Sequence, residues 1–434
     1  MNKLNIKKIL IIGATLICIY LIGGWAHNKN KWPFGRGYEE WVQAHTDFNG
    51  KYAVKKAKEH DRLQTEILKQ KEEERQKEED RISHVQTSAL HRMRQQLFEK
   101  VPESQIMVLD ETENEIKFLL LTLRDPTLHI VKLDSKNLKV QIKAIGPLGK
   151  DSVRGTDLVR DAHTGKIYAS YVTTDHRRCS SLVVDEIHIN DKFDAFESKN
   201  IFNPPCLLAP NTILETGGRM AFDSQHNLYL TVGDFGKGYT INRKILPFGK
   251  TMIRKGSQPF TIFSRGHRNS QGIFFDEESQ QIFQTEHGPQ GGDEINIIRK
   301  GVHYGWPHDT YGTDYSLDTE SQQFHANKGD VIYGHHDRYE KPIYAFTPSI
   351  GIAAIKRMPK TQWEFPNWRR DWFIVGMATG NMYRLEIEKN RVILAEPIST
   401  GRIRSFEVLP SGRILASRPD GLILITREHE EPSK

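Results

Sequence analysis

Two glycine-rich segments of the 434-residue chain contain residue types that could do chemistry. Residues 266–272 read GHRNSQG, and residues 285–296 read TEHGPQGGDEIN. Glycine beside proline leaves backbone carbonyls unpaired and exposed, which suits a hard cation that binds oxygen. Asp293 and Glu294 could add carboxylate oxygens, and Arg268 is a planar, permanently charged donor for a carboxylate. The alternative is that the glycines only form turns and the acids are solvated.

Both segments resemble the soluble aldose sugar dehydrogenases and glucose/sorbosone dehydrogenases that use pyrroloquinoline quinone (PQQ). The runs of that family look like GHRNPQG and TEHGPQGGDE, followed by YGWP and a later tyrosine. This chain has GHRNSQG, TEHGPQGGDE, YGWP at residues 304–307, and then Tyr315. The resemblance covers about residues 105–430. It implies a six-bladed β-propeller that oxidises an aldose sugar at C1, with hydride transfer to the quinone.

The resemblance also implies two calcium sites, each built from a few oxygen atoms. Gly288 and Pro289 would present backbone carbonyls to a Ca²⁺ that also binds PQQ. Glu294 and the carbonyl of Tyr304 would hold a second, structural Ca²⁺.

The predicted cofactor pocket combines arginines with polar side chains. Arg268 and Asn269 would contact the quinone, Tyr315 would line the pocket, and Arg402 and Arg404 would match a late arginine pair of the family. PQQ carries three carboxylates, so a pocket with several cations would bind it and would stabilise its reduced anion.

Three departures from the family pattern fall around this pocket. Glu215 stands where the family has its histidine base, four residues before the arginine of a GGR run, and a glutamate can serve as a base. We assign the catalytic roles to Glu215 and Arg268. Arg154 begins RGT where the family has QGG, and we assign it to the cofactor pocket. Residues 348–354 read PSIGIAA in place of PSIAPSG.

The lost histidine leaves a second function open. The chain could be a catalytically inactive propeller that binds a glycan, a small molecule or a protein and keeps Ca²⁺ for structure. The fold is compatible with both functions, because a propeller by itself specifies neither.

The elements that must position these residues show a repeat. From about residue 105, an apolar strand, a polar turn and a second apolar strand recur, for example at residues 220–229, 273–283 and 406–415. The recurring strands pass through residues 118, 168, 229, 283, 373 and 415. A repeat near fifty residues with four short strands predicts an all-β fold, a six-bladed propeller. The longest step contains residues 309–338, which we interpret as a loop over one face; a β-sandwich is the rival fold.

The N-terminal part has a different character. Lys3, Lys7 and Lys8 precede 18 uncharged residues, 9–26, which as a helix would span ~27 Å and predict a transmembrane anchor. A cleaved signal peptide is the alternative. Residues 55–100 lack glycine and carry opposite charges at helical spacing, which predicts a long charged helical stalk. We therefore divide the chain into an anchor (1–27), a linker and stalk (28–104) and the propeller (105–430).

Charge and cysteine content narrow the function classes. A net charge of +6 is too small for this length to indicate a nucleic-acid partner, so we expect none. Three cysteines without a CxxC pair exclude a zinc ribbon and a disulfide scaffold. The lysines that precede the uncharged segment predict a single-pass protein of the inner membrane, with the propeller in the periplasm or outside the cell. In such an oxidising compartment, Cys179 and Cys206 are predicted to form a disulfide.

Overall fold

The computed structural model describes residues 93–208, 214–238, 245–313 and 332–428, and six residues between 62 and 73. The chain divides into two units, Met1–Val85 and Gln86–Lys434. In the first unit the six described residues are exposed and helical, with side chains paired at 3.3 Å (Arg62–Glu66) and 3.9 Å (Lys69–Glu73). The predicted anchor, 1–27, lies outside the described residues. Within the described part of the chain, no helix has the length and apolar character needed to cross a bilayer.

The second unit consists of six antiparallel sheets that follow one another along the chain. The first sheet contains β2 (Ser104–Glu111), β3 (Glu115–Thr122), β4 (Thr127–Asp134) and β5 (Val140–Pro147). The second contains β6 (Ser152–Arg160), β7 (Ile167–Thr174), β8 (Cys179–Ile189), β9 (Phe196–Phe202) and β10 (Leu207–Leu208). The third contains β11 (Gly217–Phe222), β12 (Leu228–Val232), β13 (Lys250–Arg254) and β14 (Thr261–Arg265).

The remaining sheets complete the set. The fourth sheet contains β15 (Asn269–Asp276), β16 (Gln281–His287), β17 (Asp293–Ile298) and β20 (Tyr344–Phe346). The fifth contains β21 (Ile352–Arg357), β22 (Trp372–Gly376), β23 (Asn381–Glu388) and β24 (Arg391–Ser399). The sixth contains β25 (Ser405–Val408), β26 (Ile414–Arg418), β27 (Gly421–Arg427) and β1 (Met93–Glu99). A 3-10 helix, Pro366–Trp368, lies between β21 and β22. A separate parallel pair, β18 (Asp309–Thr310) and β19 (Ile332–Tyr333), lies within the long insertion predicted as a loop.

Apolar alternation along the strands places one core cluster between each pair of neighbouring sheets. One cluster joins Leu119 and Leu121 of the first sheet to Tyr171 of the second, and another joins Phe373 of the fifth to Phe406 of the sixth. Six such clusters form the core, and the sixth connects the last sheet back to the first. This arrangement confirms the predicted six-bladed propeller, because each sheet shares a core cluster with the next and the last sheet shares one with the first, which closes the ring.

The ring is closed by a strand that the sequence did not predict. β1 pairs antiparallel with β27, from Met93 opposite Arg427 to Glu99 opposite Leu422. Residues 93–99 fall within the predicted stalk helix, and for them that prediction was wrong, because they form a strand. The physical reason is that the edge of β27 supplies backbone hydrogen-bond partners, and such tertiary pairing overrides local helix propensity.

The predicted disulfide is present in the second blade. Cys179, the first residue of β8, is bonded to Cys206, which immediately precedes β10, and their Cα atoms are 5.3 Å apart. β10 pairs with the start of β8, so the covalent bond and the strand pairing hold the same short segment. That segment leads along the chain toward residue 215 and the start of β11.

Candidate functional site

The predicted site residues lie where the inner strands of several blades begin. β2, β6, β11, β15, β21 and β25 are the inner strands, each next to the following one around the axis. Glu215 comes two residues before β11, Asn269 is the first residue of β15, and Arg404 immediately precedes β25. Strands that begin at one face of a propeller bring distant parts of the chain together there. Tyr315 lies outside the described residues, so its predicted role stays a prediction.

Glu215 and Arg268 form an ion pair at the centre of this face. Arg268 donates through Nη2 to Glu215 Oε1, and through Nη1 to the carbonyl of Gly288 at 2.8 Å. The Glu215 side chain is 24% exposed and that of Arg268 11% exposed, so the pair is shielded but reachable. The guanidinium also lies over the ring of Trp306, 5.5 Å from its centroid. The two residues assigned catalytic roles are therefore in direct contact.

A buried hydrogen-bond network fixes the backbone that carries Arg268. The carboxylate of Glu286 accepts from the backbone N–H of Arg268, lies 2.9 Å from Nδ1 of His267 and accepts from Oγ of Ser270 at 3.2 Å. Nε2 of His267 lies 2.8 Å from Oγ of Ser264. His267 is therefore a packing and positioning residue.

Asp234 is a site residue that the sequence analysis missed. Its backbone N–H donates to the carbonyl of Arg268 at 2.8 Å, and its Oδ2 accepts from Nε1 of Trp306 at 2.8 Å. The side chain is buried, and burial, followed by the negative charge of Glu215, raises the pKa of Asp234 well above its usual range. The carboxyl groups of Glu215 and Asp234 thus both lie near the guanidinium of Arg268.

The loop predicted to bind the first Ca²⁺ is a compact turn in which the carbonyl of Gly288 accepts from Arg268. A Cβ on Gly288 would lie 2.3 Å from the carbonyl oxygen of Gly292, so the turn requires glycine. The backbone N–H of Gly288 donates to Asp293 at 3.2 Å, and Asp293 also accepts from the N–H groups of Ile350 and Ile352. Asp293 therefore fastens the loop to β21 and is not itself directed at an ion.

The predicted second calcium site contains a histidine that the sequence analysis did not include. His336 Nε2 lies 2.9 Å from the carbonyl oxygen of Tyr304 and 3.9 Å from Oε1 of Glu294. Burial, and then the charge of Glu286, raise the pKa of Glu294 well above its usual range. A buried carboxylate beside a second one is a donor set that fits a cation, and a small cavity lies between them. Among the described residues, no three acidic, histidine or cysteine side chains converge on one point, so backbone oxygens would have to complete the coordination.

Four arginines from several blades lie close enough to interact through their charges, and we call them the arginine cradle: Arg154, Arg219, Arg402 and Arg404. Burial, and then the charges of Arg404 and Arg219, lower the pKa of Arg154 to about 10. Nε of Arg404 and Nε of Arg219 are buried without a hydrogen-bond partner, as is Nε2 of His287. Unsatisfied buried donors on like-charged groups fit an anionic ligand with several acceptor atoms, which is what PQQ would supply.

The structure thus brings together most of the predicted site. Asn269 lies beside the pair, where its Oδ1 accepts from Gln271 at 2.8 Å. Arg219 was visible in the GGR run but was not assigned a role. Asp234 and His336 carried no local signal, because isolated acidic and histidine residues are common in any sequence and the partners of these two are remote in sequence.

Comparison with known proteins identifies relatives of this chain. The model of the glucose/sorbosone dehydrogenase family matches residues 110–425. The aldose sugar dehydrogenase YliI of Escherichia coli strain K12 is 26% identical over 223 residues, which are 48% of this chain and 56% of that protein. Across the curated relatives that it matches, the chain spans between about a third and a little over half of their length.

Solved structures share the fold at low sequence identity. The apo form of the soluble aldose sugar dehydrogenase from Escherichia coli has a TM-score of 0.65 and 20% identity, covering 78% of this chain and 99% of that chain. The PQQ-bound aldose sugar dehydrogenase from Streptomyces coelicolor has a TM-score of 0.54 and 17% identity, with 78% and 99% coverage. At these identities the likeness concerns the propeller alone.

Proposed function

Because the chain belongs to the glucose/sorbosone dehydrogenase family, we propose that it is a PQQ- and Ca²⁺-dependent oxidoreductase that oxidises an aldose at C1. The observation that carries the proposal is the direct contact of Glu215 with Arg268, which in turn contacts the carbonyl of Gly288. This contact supports the proposal because a carboxylate that could act as a base, a cation and a carbonyl that could bind a metal lie within hydrogen-bond reach of one another. The arginine cradle adds cations suited to a polyanionic cofactor.

The cofactor would be held by charge and by backbone oxygens. Arg154, Arg402 and Arg404 would bind its carboxylates, with Arg268 and Asn269 at the reacting end. Gly288 and Pro289 would offer carbonyls to the Ca²⁺ beside it, while Glu294 and the Tyr304 carbonyl would hold the structural ion. When bound, PQQ supplies the acceptor for hydride and Ca²⁺ polarises that acceptor.

The chain's own residues would handle the proton. A carboxylate oxygen of Glu215 would accept the proton of the sugar C1 hydroxyl as hydride leaves C1. Arg268 would keep that carboxylate aimed at the substrate, since a charge-assisted hydrogen bond restricts its rotation. Trp306, under the guanidinium and bonded to Asp234, would exclude water from one side of the pair.

The place of action is part of the proposal. The disulfide between Cys179 and Cys206 supports an exported propeller, because such bonds persist in oxidising compartments. Tethering by the N-terminal segment to the inner membrane, with the propeller on the periplasmic or outer side, is the arrangement we propose from the sequence.

The test is reconstitution of the full-length protein with PQQ and Ca²⁺, followed by reduction of an electron-accepting dye with a panel of aldoses. We expect dye reduction that depends on sugar, PQQ and Ca²⁺, and no reduction when any one is omitted. Calorimetry that detects Ca²⁺ binding without PQQ binding would instead favour the non-catalytic propeller. The contact of Glu215 with Arg268 is compatible with that second function, since an ion pair can also serve only to hold the loops.

A further inference from the structure

Next to Arg402 and Arg404 of the arginine cradle lies the acidic side chain of Glu103, which comes from the loop between β1 and β2. Its Oε2 is 3.3 Å from Nε of Arg404, and its Oε1 is 3.9 Å from Nε of Arg402. Burial lowers the pKa of Arg154, Arg219 and Arg404, and in all three the charge of Glu103 opposes that effect. Glu103 is thus a counter-charge for several guanidinium groups, while Arg219 also lies 3.7 Å from Oδ1 of Asp157.

The contacts of Glu103 are nevertheless incomplete. Its Oε1 is buried and accepts no hydrogen bond, and Nε of Arg404 donates none. Charge-assisted bonds between arginine and carboxylate are normally about 2.8 Å long and often bidentate, so distances of 3.3 and 3.9 Å leave most of that energy unused. A ligand carboxylate with better geometry would bind these arginines more strongly than Glu103 does.

The backbone on both sides of the Glu103 side chain is held by hydrogen bonds. The carbonyl of Glu103 accepts from the N–H of Leu123 at 2.9 Å, and the next residue, Ser104, donates from its N–H to Oγ of Ser417 at 2.9 Å. These bonds fix the loop to the first and sixth blades. Displacement of the carboxylate would therefore occur by rotation of the side chain while the backbone stays in place.

We propose that Glu103 is an internal competitor for a carboxylate of the cofactor, occupying the anion position on Arg402 and Arg404 until the ligand displaces it. The proposal rests on the proposed function, since it takes PQQ as the natural ligand. Without a ligand, the carboxylate reduces repulsion among the arginines. With the ligand bound, the carboxylate of Glu103 lies near the negative charge of the ligand and repels it, so it lowers the affinity of the protein for the ligand.

The experiment compares PQQ binding to the full-length wild-type protein, to Glu103→Gln and to a matched control, Glu113→Gln. Glu113 is exposed in the turn between β2 and β3 of the blade that Glu103 precedes, so its variant removes the same charge away from the arginines. By titration calorimetry we expect Glu103→Gln to bind PQQ about tenfold tighter or more, because like charges in a binding site oppose association. Equal or weaker binding than that of Glu113→Gln would overturn the proposal.

Thermal unfolding gives a second measurement, and the reversal that we expect in it would not occur if Glu103 had only a structural role. Without ligand, Glu103→Gln is expected to melt at a lower temperature than Glu113→Gln, because its arginines repel one another. With saturating PQQ the order is expected to reverse. If Glu103→Gln does not fold, Glu103→Asp replaces it, since shortening by one methylene draws the carboxylate back and is expected to tighten PQQ binding in the same direction.

Citrate, a tricarboxylate that is not a cofactor, makes failure of this proposal distinguishable from failure of the proposed function. If neither the wild type nor the variants bind PQQ, the proposed function fails. Citrate then decides the role of Glu103: a larger citrate-induced rise in melting temperature for Glu103→Gln than for Glu113→Gln supports an internal competitor for carboxylates. Equal rises would overturn it.

Discussion

At the scale of single residues, the site depends on how Glu215 is held. The residue has a positive φ of 55°, and its carbonyl accepts from the N–H of Phe235 at 3.1 Å. A Cβ on Gly233 would lie 1.9 Å from that carbonyl oxygen, so glycine is required at position 233. An unusual backbone conformation, maintained by its surroundings, presents the carboxylate to Arg268, and conformations of this kind concentrate at functional sites.

Replacement of Glu215 tests its assignment as the base. Glu215→Gln keeps the size of the side chain but cannot accept the proton, so we expect kcat to fall by a factor of about 10²–10⁴ while PQQ still binds. Dye reduction with aldoses measures the rate, and calorimetry measures the binding. The exposed Glu113 provides the control, and Glu113→Gln is expected to retain wild-type turnover. Unchanged turnover in Glu215→Gln would remove this residue from the mechanism.

The sequence predicted the site where its signal was local. The runs around Arg268 and Gly288 each lie within a dozen residues, and the structure brings both to Glu215. Asp234 and Glu103 were missed because their importance arises only from the fold. Asp234 is separated from Arg268 by 34 positions, and Glu103 reaches Arg404 from the opposite end of the propeller sequence. No periodicity in one chain marks such a convergence.

At the scale of single elements, the second blade combines a very short strand with a covalent bond. β10 has two residues, which alone would hold its segment weakly, and the bond between Cys179 and Cys206 closes a loop with a sequence separation of 27. The double variant Cys179→Ser/Cys206→Ser is expected to lose about 3–4 kcal/mol of unfolding free energy, mainly because the unfolded chain regains freedom.

Denaturation in guanidinium chloride measures this loss. Cys18 lies outside the described residues and takes no part in the bond, so Cys18→Ser serves as the control and is expected to unfold like the wild type. A reducing agent should destabilise the wild type and leave the double variant unaffected. An equal response of both proteins to the reducing agent would contradict the prediction.

In the third blade, β13 buries the amino group of Lys250. The residue is 2% exposed, and Nζ donates to the carbonyl of Phe248 at 2.9 Å. Burial, and then the charge of Arg265, lower the pKa of Lys250 to about 8. An unfolded lysine titrates near 10.4, so between these pH values the unfolded state holds more protons and the stability of the folded state rises with pH.

Substitution of this lysine predicts a specific pH dependence. Lys250→Met removes the buried charge, so the variant should be more stable than the wild type at pH 7, and its advantage should shrink by up to about 3 kcal/mol as pH rises from 8 to 10.5. Urea denaturation at several pH values measures the difference. Lys255 is exposed just beyond β13, and Lys255→Met should show no such trend. A constant difference for Lys250→Met across this range would refute the prediction.

At the scale of the whole molecule, the propeller was predictable because its repeat is periodic. Positions 118, 168, 229, 283, 373 and 415, taken from the sequence as the recurring strands, all lie in the second strand of their blades. The closing strand was not predictable, since it pairs with a segment more than 300 residues away. Residues 93–99 contain both charged and apolar side chains, and their pattern alone does not distinguish a helix from an edge strand.

The closing strand gives the final prediction, because β1 contacts both neighbours of the last blade. Met93 packs against the core cluster shared by blades five and six, and Phe98 packs against the cluster shared by blades six and one. Deletion of residues 1–100 should therefore cost roughly 3–6 kcal/mol, if each of the six residue pairs with β27 contributes 0.5–1 kcal/mol. The exposed edge of β27 should also promote association of the protein.

Deletion of residues 1–92 retains β1 and is the matched control, expected to preserve both the unfolding free energy and the monodispersity of the propeller. Equal stability of the two truncated proteins in urea would mean that the ring is held by the six core clusters alone and that β1 only covers an edge.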